Sequence, residues 1–338
     1  MGQFDLQNSL SLQLELPTTH LSFLVTNPGT TLNLDWLEDV RVNASAVGRR
    51  TQSLTGRRSV KGPWQTAWLL HAIQCMDLTT LSSDDTPKRV QRLCAKARQP
   101  IRPELVKSLG IESLNLQVGA VCVYHAFVNT AVNALKNTNI PVAAVAAGFP
   151  HGLSPISAKL NEIRASVEDG AQEIDIVISR HHVLTGNWTA LYDEVAAFKE
   201  ACGEAHLKTI LGTGDLGTFR NVAKASWVCL MAGADFIKTS TGKEAVNATL
   251  PVTLVMLRVL RDYHQRTGHW AGFKPAGGIR TAKQALDWLV LVREELGFDA
   301  QQPARFRFGA SGLLTDIERQ LEHRVTGRYA TAARQPLC

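Results

Sequence analysis

The stretch VAKASWVCLMAGADFIKTSTGK, residues 222–243, contains the pattern that decides the fold. Its first half places Val222 and Cys229 on one face at helical spacing, and Gly233 follows as a natural helix end. Its second half, Asp235–Thr239, is a short, mostly apolar run of strand length. A helix followed at once by a short buried strand is typical of a parallel sheet built from repeated β-α units.

The same alternation extends in both directions along the chain. Eight strand candidates separated by amphipathic segments favour a closed (β/α)8 TIM barrel, an α/β fold with an N-terminal extension. An open doubly wound sheet would need a G-x-G-x-x-G turn after its first strand, and none follows the first candidate here. The predicted strands are Cys75–Leu81, Ala120–Tyr124, Pro141–Gly148, Glu173–Ser179, Leu207–Gly212, Asp235–Thr239, Gly272–Ala276 and Phe306–Ala310.

The chain has 338 residues, which would allow two domains, but one barrel of about 250 residues with terminal extensions fits as well. We therefore predict an N-terminal extension at 1–35, a barrel domain at 36–327 and a tail at 328–338. Two helix starts are predicted as well. Thr281 is a plausible N-cap, and Thr315–Glu318 has the spacing of a capping box for the last helix.

The composition limits the classes of partner. The formal net charge is +6, but the basic residues are spread out, so we expect a soluble surface and no nucleic-acid binding. Six cysteines without a CxxC pair indicate reduced thiols and a cytoplasmic location. No apolar run approaches the roughly 20 residues of a membrane span, so no membrane association is expected. The sequence allows a homodimer without predicting one.

Four ionisable residues lie inside predicted strands, where a charge is costly unless it has a function or a partner. Lys238 would point into the barrel, and a neighbouring Lys274 would lower its pKa towards neutrality by charge repulsion. A neutral lysine amine can attack a carbonyl and form an imine. Asp175 could transfer protons, with Lys208 as its partner. These four therefore indicate chemistry through a lysine imine, and no metal or other cofactor is expected.

Simpler interpretations exist for each residue taken alone. A strand lysine often lies near a strand end and reaches water, and a strand aspartate often serves only in a structural ion pair. The coincidence of three lysines and an aspartate in predicted strands four to seven favours the functional interpretation. Cys122, between apolar neighbours, is more often a small core residue than a nucleophile.

A phosphate site is predicted after the last two strands. Gly277 and Gly278 follow the seventh strand, while Ser311 and Gly312 follow the eighth and precede a helix. Loops at these places, together with a helix N-terminus, form the common phosphate site of barrel enzymes. Glycine pairs also occur in ordinary turns, so their position is what favours this interpretation.

The sequence resembles the deoxyribose-phosphate aldolases, in particular their longer animal-type members, from about Leu34 to Gly327. The resemblance implies cleavage of 2-deoxyribose 5-phosphate to glyceraldehyde 3-phosphate and acetaldehyde, a step in deoxyribose phosphate catabolism. The matching motifs are Met76–Leu81, Val121–Tyr124, Glu173–Ile178, Phe236–Lys243, Phe273–Arg280 and Phe308–Ser311.

The resemblance also implies individual roles. It matches Lys238 to the imine-forming lysine, Lys274 to the lysine that perturbs it, and Asp175, beside Lys208, to the proton donor and acceptor. Residues matched to the substrate channel are Asp77, Thr79 and Cys122, and those matched to the phosphate are Thr241, Gly242, Lys243, Gly277, Gly278 and Ser311, with Gly312 where many relatives carry a hydroxyl.

Two alternatives stay open at this point. A transaldolase-like enzyme would also form an imine on a barrel lysine, but with a larger ketose donor. A non-catalytic barrel could instead bind RNA or protein through its basic surface, and its binding would survive loss of Lys238 and Lys274.

Overall fold

The computed structural model describes residues 26–331, and its centre is a sheet of eight parallel strands. The strands pair in the order β7-β6-β5-β4-β3-β2-β1-β8. Two further parallel bridges, Phe273 to Phe306 and Ala276 to Gly309, join the ends of this order. The predicted TIM barrel is confirmed. The strands are β1 Met76–Thr79, β2 Ala120–Tyr124, β3 Val142–Ala146, β4 Glu173–Val177, β5 His206–Ile210, β6 Phe236–Lys238, β7 Gly272–Lys274 and β8 Phe308–Ala310.

Helices surround the barrel and supply the outer half of its core. At least one helix follows each strand, and three short helices precede β1. They are α1 Leu34–Glu38, α2 Ala44–Arg57, α3 Gly62–Gln74, α4 Pro87–Arg98, α5 Pro103–Leu109, α6 Val128–Ala134, α7 Ile156–Glu168, α8 Arg180–Leu184, α9 Trp188–Cys202, α10 Phe219–Met231, α11 Leu250–Thr267, α12 Ala282–Leu296 and α13 Gly312–Thr326.

Strand alternation separates the apolar core from the lumen of the barrel. In β4, Ile174 and Ile176 belong to the large apolar cluster between strands and helices. Asp175, between them, points the other way, because successive side chains leave a strand on opposite faces. In β2 and β3, Cys122 and Val145 belong to a separate small cluster inside the barrel. The lumen is therefore apolar on one side and charged on the other.

The start of the last helix differs from the prediction. Thr281 caps α12 as expected, and Gln284 adds the second half of a capping box that was not predicted. The capping box predicted at Thr315 is wrong, because α13 begins at Gly312 and has Ser311 as its N-cap residue, without a side-chain cap. Asp316, inside α13, instead accepts a hydrogen bond from the backbone of Ala282 in α12. The first turn of α13 therefore has no side-chain cap, and its first residue, Gly312, lies at the C-terminal mouth of the barrel.

The segment before α1 is attached to the N-terminal side of β6. Asn27, which is 1% exposed, donates through its side chain to the carbonyls of Leu230 and Ala234, each at 2.9 Å. Its backbone N–H donates to Asp235 Oδ1 at 2.6 Å, and its Oδ1 accepts from the Tyr263 hydroxyl at 3.0 Å. The boundary predicted at residue 36 stays a prediction, but residues 27–30 already contact the barrel domain.

We expect Asn27→Ala to lower the free energy of unfolding by about 2–3 kcal/mol, because two carbonyls and a hydroxyl would each lose a buried hydrogen bond. Thermal and urea unfolding measure this change. Asn133→Ala, which removes an exposed asparagine side chain on α6, is the control and should shift stability by less than about 0.5 kcal/mol. An equally small shift for Asn27→Ala would contradict a stabilising role for the segment.

Within residues 26–331, no helix combines the length and the apolar character needed to cross a membrane. The cytoplasmic location stays a prediction, and the homodimer, which the sequence allows without predicting it, stays untested.

Candidate active site

A network of charged side chains fills one side of the lumen. Every member is at most 3% exposed, so each charge depends on its neighbours rather than on water. The members are Asp77, Glu173, Asp175, Lys208, Lys238, Lys274 and Arg307.

Asp175 lies at the centre of this network. Its Oδ2 accepts hydrogen bonds from Lys238 Nζ at 2.6 Å and from Lys274 Nζ at 2.7 Å. Lys208 Nζ lies 3.5 Å from its Oδ1. Lys274 also donates to Asp77 Oδ2. The two lysines that the sequence placed on neighbouring strands therefore reach the same carboxylate oxygen.

The register of the strands explains this meeting. In the β4–β5 pair, Asp175 is the partner of Lys208, and in the β6–β7 pair, Lys238 is the partner of Lys274. Parallel pairing places partners at similar heights in the barrel, and their side chains leave the sheet on the same face. Lys238 and Lys274 are also the last residues of their strands, so their ends approach the C-terminal mouth.

Lys238 has fewer ion-pair partners than the other cations of the network. It pairs with Asp175 alone among the described residues, whereas Lys208 pairs with three carboxylates and Lys274 and Arg307 with two each. With four cations and three carboxylates, the network has one positive charge in excess when all are ionised. Loss of one proton from a lysine would make the network neutral. Lys238 would give up the fewest ion pairs, because within residues 26–331 it has only the one with Asp175.

The direction of the pKa shift of Lys238 agrees with this charge count. Burial is the largest cause that lowers the pKa of Lys238 below its ordinary value; Asp175 raises it again, and the Lys274 ammonium lowers it. The sequence predicted the direction but named charge repulsion as the cause. Removal of the amine from water is the larger effect, and the second cation adds to it.

The neighbours of Lys238 stay charged. Burial alone would lower the pKa of Lys274, but Asp175 and Asp77 outweigh it, so the pKa lies above its ordinary value. Burial alone would likewise raise the pKa of Asp175, but Lys208, Lys238 and Lys274 outweigh it, and the pKa lies well below its ordinary value. The centre thus combines an amine whose pKa is lowered with a carboxylate and an ammonium that stay ionised at neutral pH.

Two members of the network were missed in the sequence. Glu173 Oε2 accepts from Lys208 Nζ at 2.5 Å, and its Oε1 accepts from Arg307 Nη2 at 2.9 Å. Arg307 Nη1 also donates to Asp77 Oδ1 at 2.7 Å. The sequence could have indicated Glu173 as a lumen residue, because it precedes Asp175 by two positions in the same strand and so lies on the same face. These two residues form the lower layer that supports Lys208 and Asp77.

A cavity of about 450 Å³ opens above the network at the C-terminal mouth. Nine of the fourteen predicted site residues line it: Thr79, Lys238, Thr241, Gly242, Lys243, Gly277, Gly278, Ser311 and Gly312.

The other five predicted residues lie beneath the cavity rather than in its wall. Asp77, Asp175, Lys208 and Lys274 belong to the network, and Cys122 to the apolar cluster beside it, each with no exposed surface. Asp77 and Cys122 therefore do not line the cavity as the resemblance implied. Burial also raises the pKa of the Cys122 thiol to about 11, which supports its interpretation as a small core residue.

The upper wall of the cavity suits an anion. Gly277 and Gly278 have φ of 81° and 83°, a conformation that favours glycine and brings backbone amides close to a ligand. Gly312 begins α13, whose N-terminus presents unpaired amides. Lys243 and Arg280 add two exposed cations, and none of the described residues that line the cavity is acidic.

No group of three or more metal-ligating side chains occurs within the described range 26–331. The carboxylates of the lumen are bonded to lysines and Arg307 instead.

Comparisons with known proteins identify the family of the chain. The model of the family described as DeoC/LacD family aldolase matches residues 71–310. The chain belongs to this aldolase family. The aldolase is also 60% identical over 306 residues to the human deoxyribose-phosphate aldolase, which covers 90% of this chain and 96% of the human protein. Its identity to the mouse deoxyribose-phosphate aldolase is 61% over 304 residues, with coverages of 89% and 96%.

Solved structures give the same fold. The aldolase described as QR15 superposes with a TM-score of 0.59 at 25% identity, over 75% of this chain and 97% of that one. The deoxyribose phosphate aldolase from Aeropyrum pernix superposes with a TM-score of 0.57 at 20% identity, over 83% and 99%. At this identity the second likeness shows the fold alone.

Proposed function

We propose that this aldolase cleaves 2-deoxyribose 5-phosphate to glyceraldehyde 3-phosphate and acetaldehyde through an imine on Lys238. The observation that supports it best is a lysine with a lowered pKa at the floor of a cavity whose upper wall suits an anion. The high identity to deoxyribose-phosphate aldolases agrees with the same substrate.

The chemistry begins with the neutral Lys238 amine, which adds to the aldehyde carbon C1 of the open-chain sugar. Loss of water gives an iminium ion that accepts electrons. The C3 hydroxyl then gives its proton to Asp175 and the C2–C3 bond breaks, so glyceraldehyde 3-phosphate leaves and an enamine remains on Lys238. Return of the proton to C2, followed by addition of water, releases acetaldehyde.

Asp175 and Lys274 suit the proton transfers. Asp175 Oδ2 is within hydrogen-bond distance of both lysines, so it lies beside the atoms that react on Lys238. The Lys274 ammonium stabilises the carboxylate and holds its position. We assign Asp175 as the proton acceptor and donor, and Lys274 as the cation that controls both neighbours.

The apolar side of the lumen favours a small aldehyde donor over a ketose. Cys122, Ala143 and Val145 form the buried cluster there, and Leu81, which packs against it, gives the cavity an apolar wall on that side. A ketose donor carries extra hydroxyl groups that such a surface leaves without hydrogen-bond partners. The transaldolase-like alternative predicts faster addition with dihydroxyacetone than with acetaldehyde, and we expect the opposite.

The direct test is acetaldehyde release from 2-deoxyribose 5-phosphate by the purified chain, compared with unphosphorylated 2-deoxyribose. We expect cleavage of both, with kcat/KM higher for the phosphorylated sugar by a factor of about 10²–10³, because the phosphate adds charge-assisted hydrogen bonds. Equal kcat/KM values would contradict the phosphate assignment, and absence of cleavage would overturn the proposed function.

Lys243→Gln should raise KM for the phosphorylated sugar about threefold to tenfold, because one exposed cation near the phosphate is lost. The effect should shrink as salt rises and should be absent with unphosphorylated 2-deoxyribose. Lys283→Gln, an exposed lysine on α12 paired with Asp287, is the control. Steady-state kinetics at two ionic strengths provide the measurement, and a salt-independent rise would argue against a charge contact.

A further inference from the structure

The loop between β6 and α11, residues 239–249, carries Thr241, Gly242 and Lys243 to the wall of the cavity. Glu244 holds its first turn. The Glu244 Oε2 atom accepts from the Thr241 backbone N–H at 3.0 Å and from the Thr241 hydroxyl at 2.7 Å. The same hydroxyl accepts from the Lys243 N–H at 3.1 Å. The carboxylate therefore fixes the three residues that we assign to the phosphate.

Glu244 is in turn held by Arg180, which begins the helix that follows β4. Its Oε1 accepts from Arg180 Nη2 at 2.8 Å, and the two side chains are 3% and 14% exposed. Arg180 is the first residue of α8, directly after β4, and its Nη2 also donates to the Pro150 carbonyl at 3.3 Å. The guanidinium thus joins the loops that follow β3, β4 and β6.

Between α8 and Glu244, the Arg180 side chain passes the loop that follows β5. A Cβ added to Gly212 would lie 2.1 Å from Arg180 Nε, so only glycine leaves room for this path. Asp215, in the same loop, pairs with Nε at 3.5 Å. The chain therefore makes space for an arginine whose guanidinium pairs with the carboxylate that holds Thr241.

We propose that Arg180 and Glu244 are positioning residues for phosphate recognition, acting through Thr241–Lys243 and not through the lysine centre. The proposal rests on the function proposed above. It predicts that loss of the pair affects binding of the phosphorylated end of the substrate while imine formation on Lys238 is retained. An ion pair that only supported the fold would instead affect all substrates alike.

The test compares Arg180→Met, Arg180→Lys and Glu244→Gln with the wild type on 2-deoxyribose 5-phosphate and on 2-deoxyribose. For Arg180→Met and Glu244→Gln we expect kcat/KM with the phosphorylated sugar to fall about tenfold, mainly through KM, as for loss of one charge-assisted hydrogen bond. With the unphosphorylated sugar it should change by less than about twofold. Inhibition by inorganic phosphate should weaken in parallel. Arg180→Lys keeps the charge but not the forked geometry of the guanidinium. Its kcat/KM with the phosphorylated sugar should lie between those of the wild type and Arg180→Met.

Arg102→Met is the matched control, since Arg102 and Glu322 form a similarly buried pair between α5 and α13, with side chains 24% and 7% exposed. It should leave the ratio of the two kcat/KM values unchanged. If Arg180→Met does not fold, Glu244→Gln and Arg180→Lys provide the same test. Equal losses with both sugars, or no loss with either, would overturn the proposal. A wild type without phosphate preference would instead refute the proposed function.

Discussion

Replacing Lys238 with methionine is expected to reduce kcat for cleavage by at least about 10⁴-fold, because the amine that forms the covalent electron sink is removed. Asp175 keeps Lys274 and Lys208 as partners in this variant, so its charge is not left unpaired. We therefore expect the thermal unfolding temperature to stay the same or to rise, since a buried amine is replaced by an apolar chain.

The control for this variant is Lys199→Met. Lys199 also pairs with a buried aspartate, Asp235, at 2.6 Å, but outside the lumen and below β6. It should keep near-normal turnover. Near-normal turnover by Lys238→Met, measured as acetaldehyde release, would show that another group forms the intermediate.

Replacing Lys274 with methionine is expected to shift the pH dependence of cleavage as well as its rate. The Lys274 ammonium lowers the pKa of Lys238, and only the neutral Lys238 amine is a nucleophile. Without that ammonium the pKa of Lys238 rises, so the acid limb of kcat/KM should move to higher pH by about one to two units. At neutral pH the rate should fall about 10²–10³-fold, because proton transfer also loses its supporting cation.

Lys159→Met is the control for the general effect of replacing a buried, ion-paired lysine. Lys159 is 3% exposed and pairs with Glu194 outside the lumen. It should lower stability but leave the acid limb in place. A Lys274→Met profile with an unchanged acid limb would show that Lys274 does not control the protonation of Lys238.

Much of the barrel was predictable because its strands are short apolar runs between helices, and all eight appear in the structure. The start of α13 was not. Thr315–Glu318 has capping-box spacing, but Asp316 bonds with Ala282, and Glu318 pairs with Lys96 on α4. These partners come from other helices, so the local pattern could not show that the N-cap residue is Ser311, four residues before Thr315.

The network of the lumen was partly predictable for a different reason. A lysine or aspartate inside an apolar strand is conspicuous, and strand order alone brings Lys238 beside Lys274. Arg307 was missed although it alternates with Phe306 and Phe308 as a lumen residue should. The balance of charges was beyond the sequence, because it depends on distances between side chains from five strands and from Arg307, which directly precedes β8.

The contact between Arg180 and Glu244 lay outside any sequence argument. The two residues are 64 positions apart and lie after different strands. Only the closed barrel brings their loops together, and only the glycine at 212 lets the guanidinium pass.

The proposed chemistry depends on Lys238 as the neutral amine that forms the intermediate. Borohydride reduction in the presence of acetaldehyde, followed by peptide mapping, tests it most directly. We predict a single reduced ethyl adduct, on Lys238. An adduct on Lys274 or Lys208 in its place, or no adduct on a folded and active protein, would contradict the account.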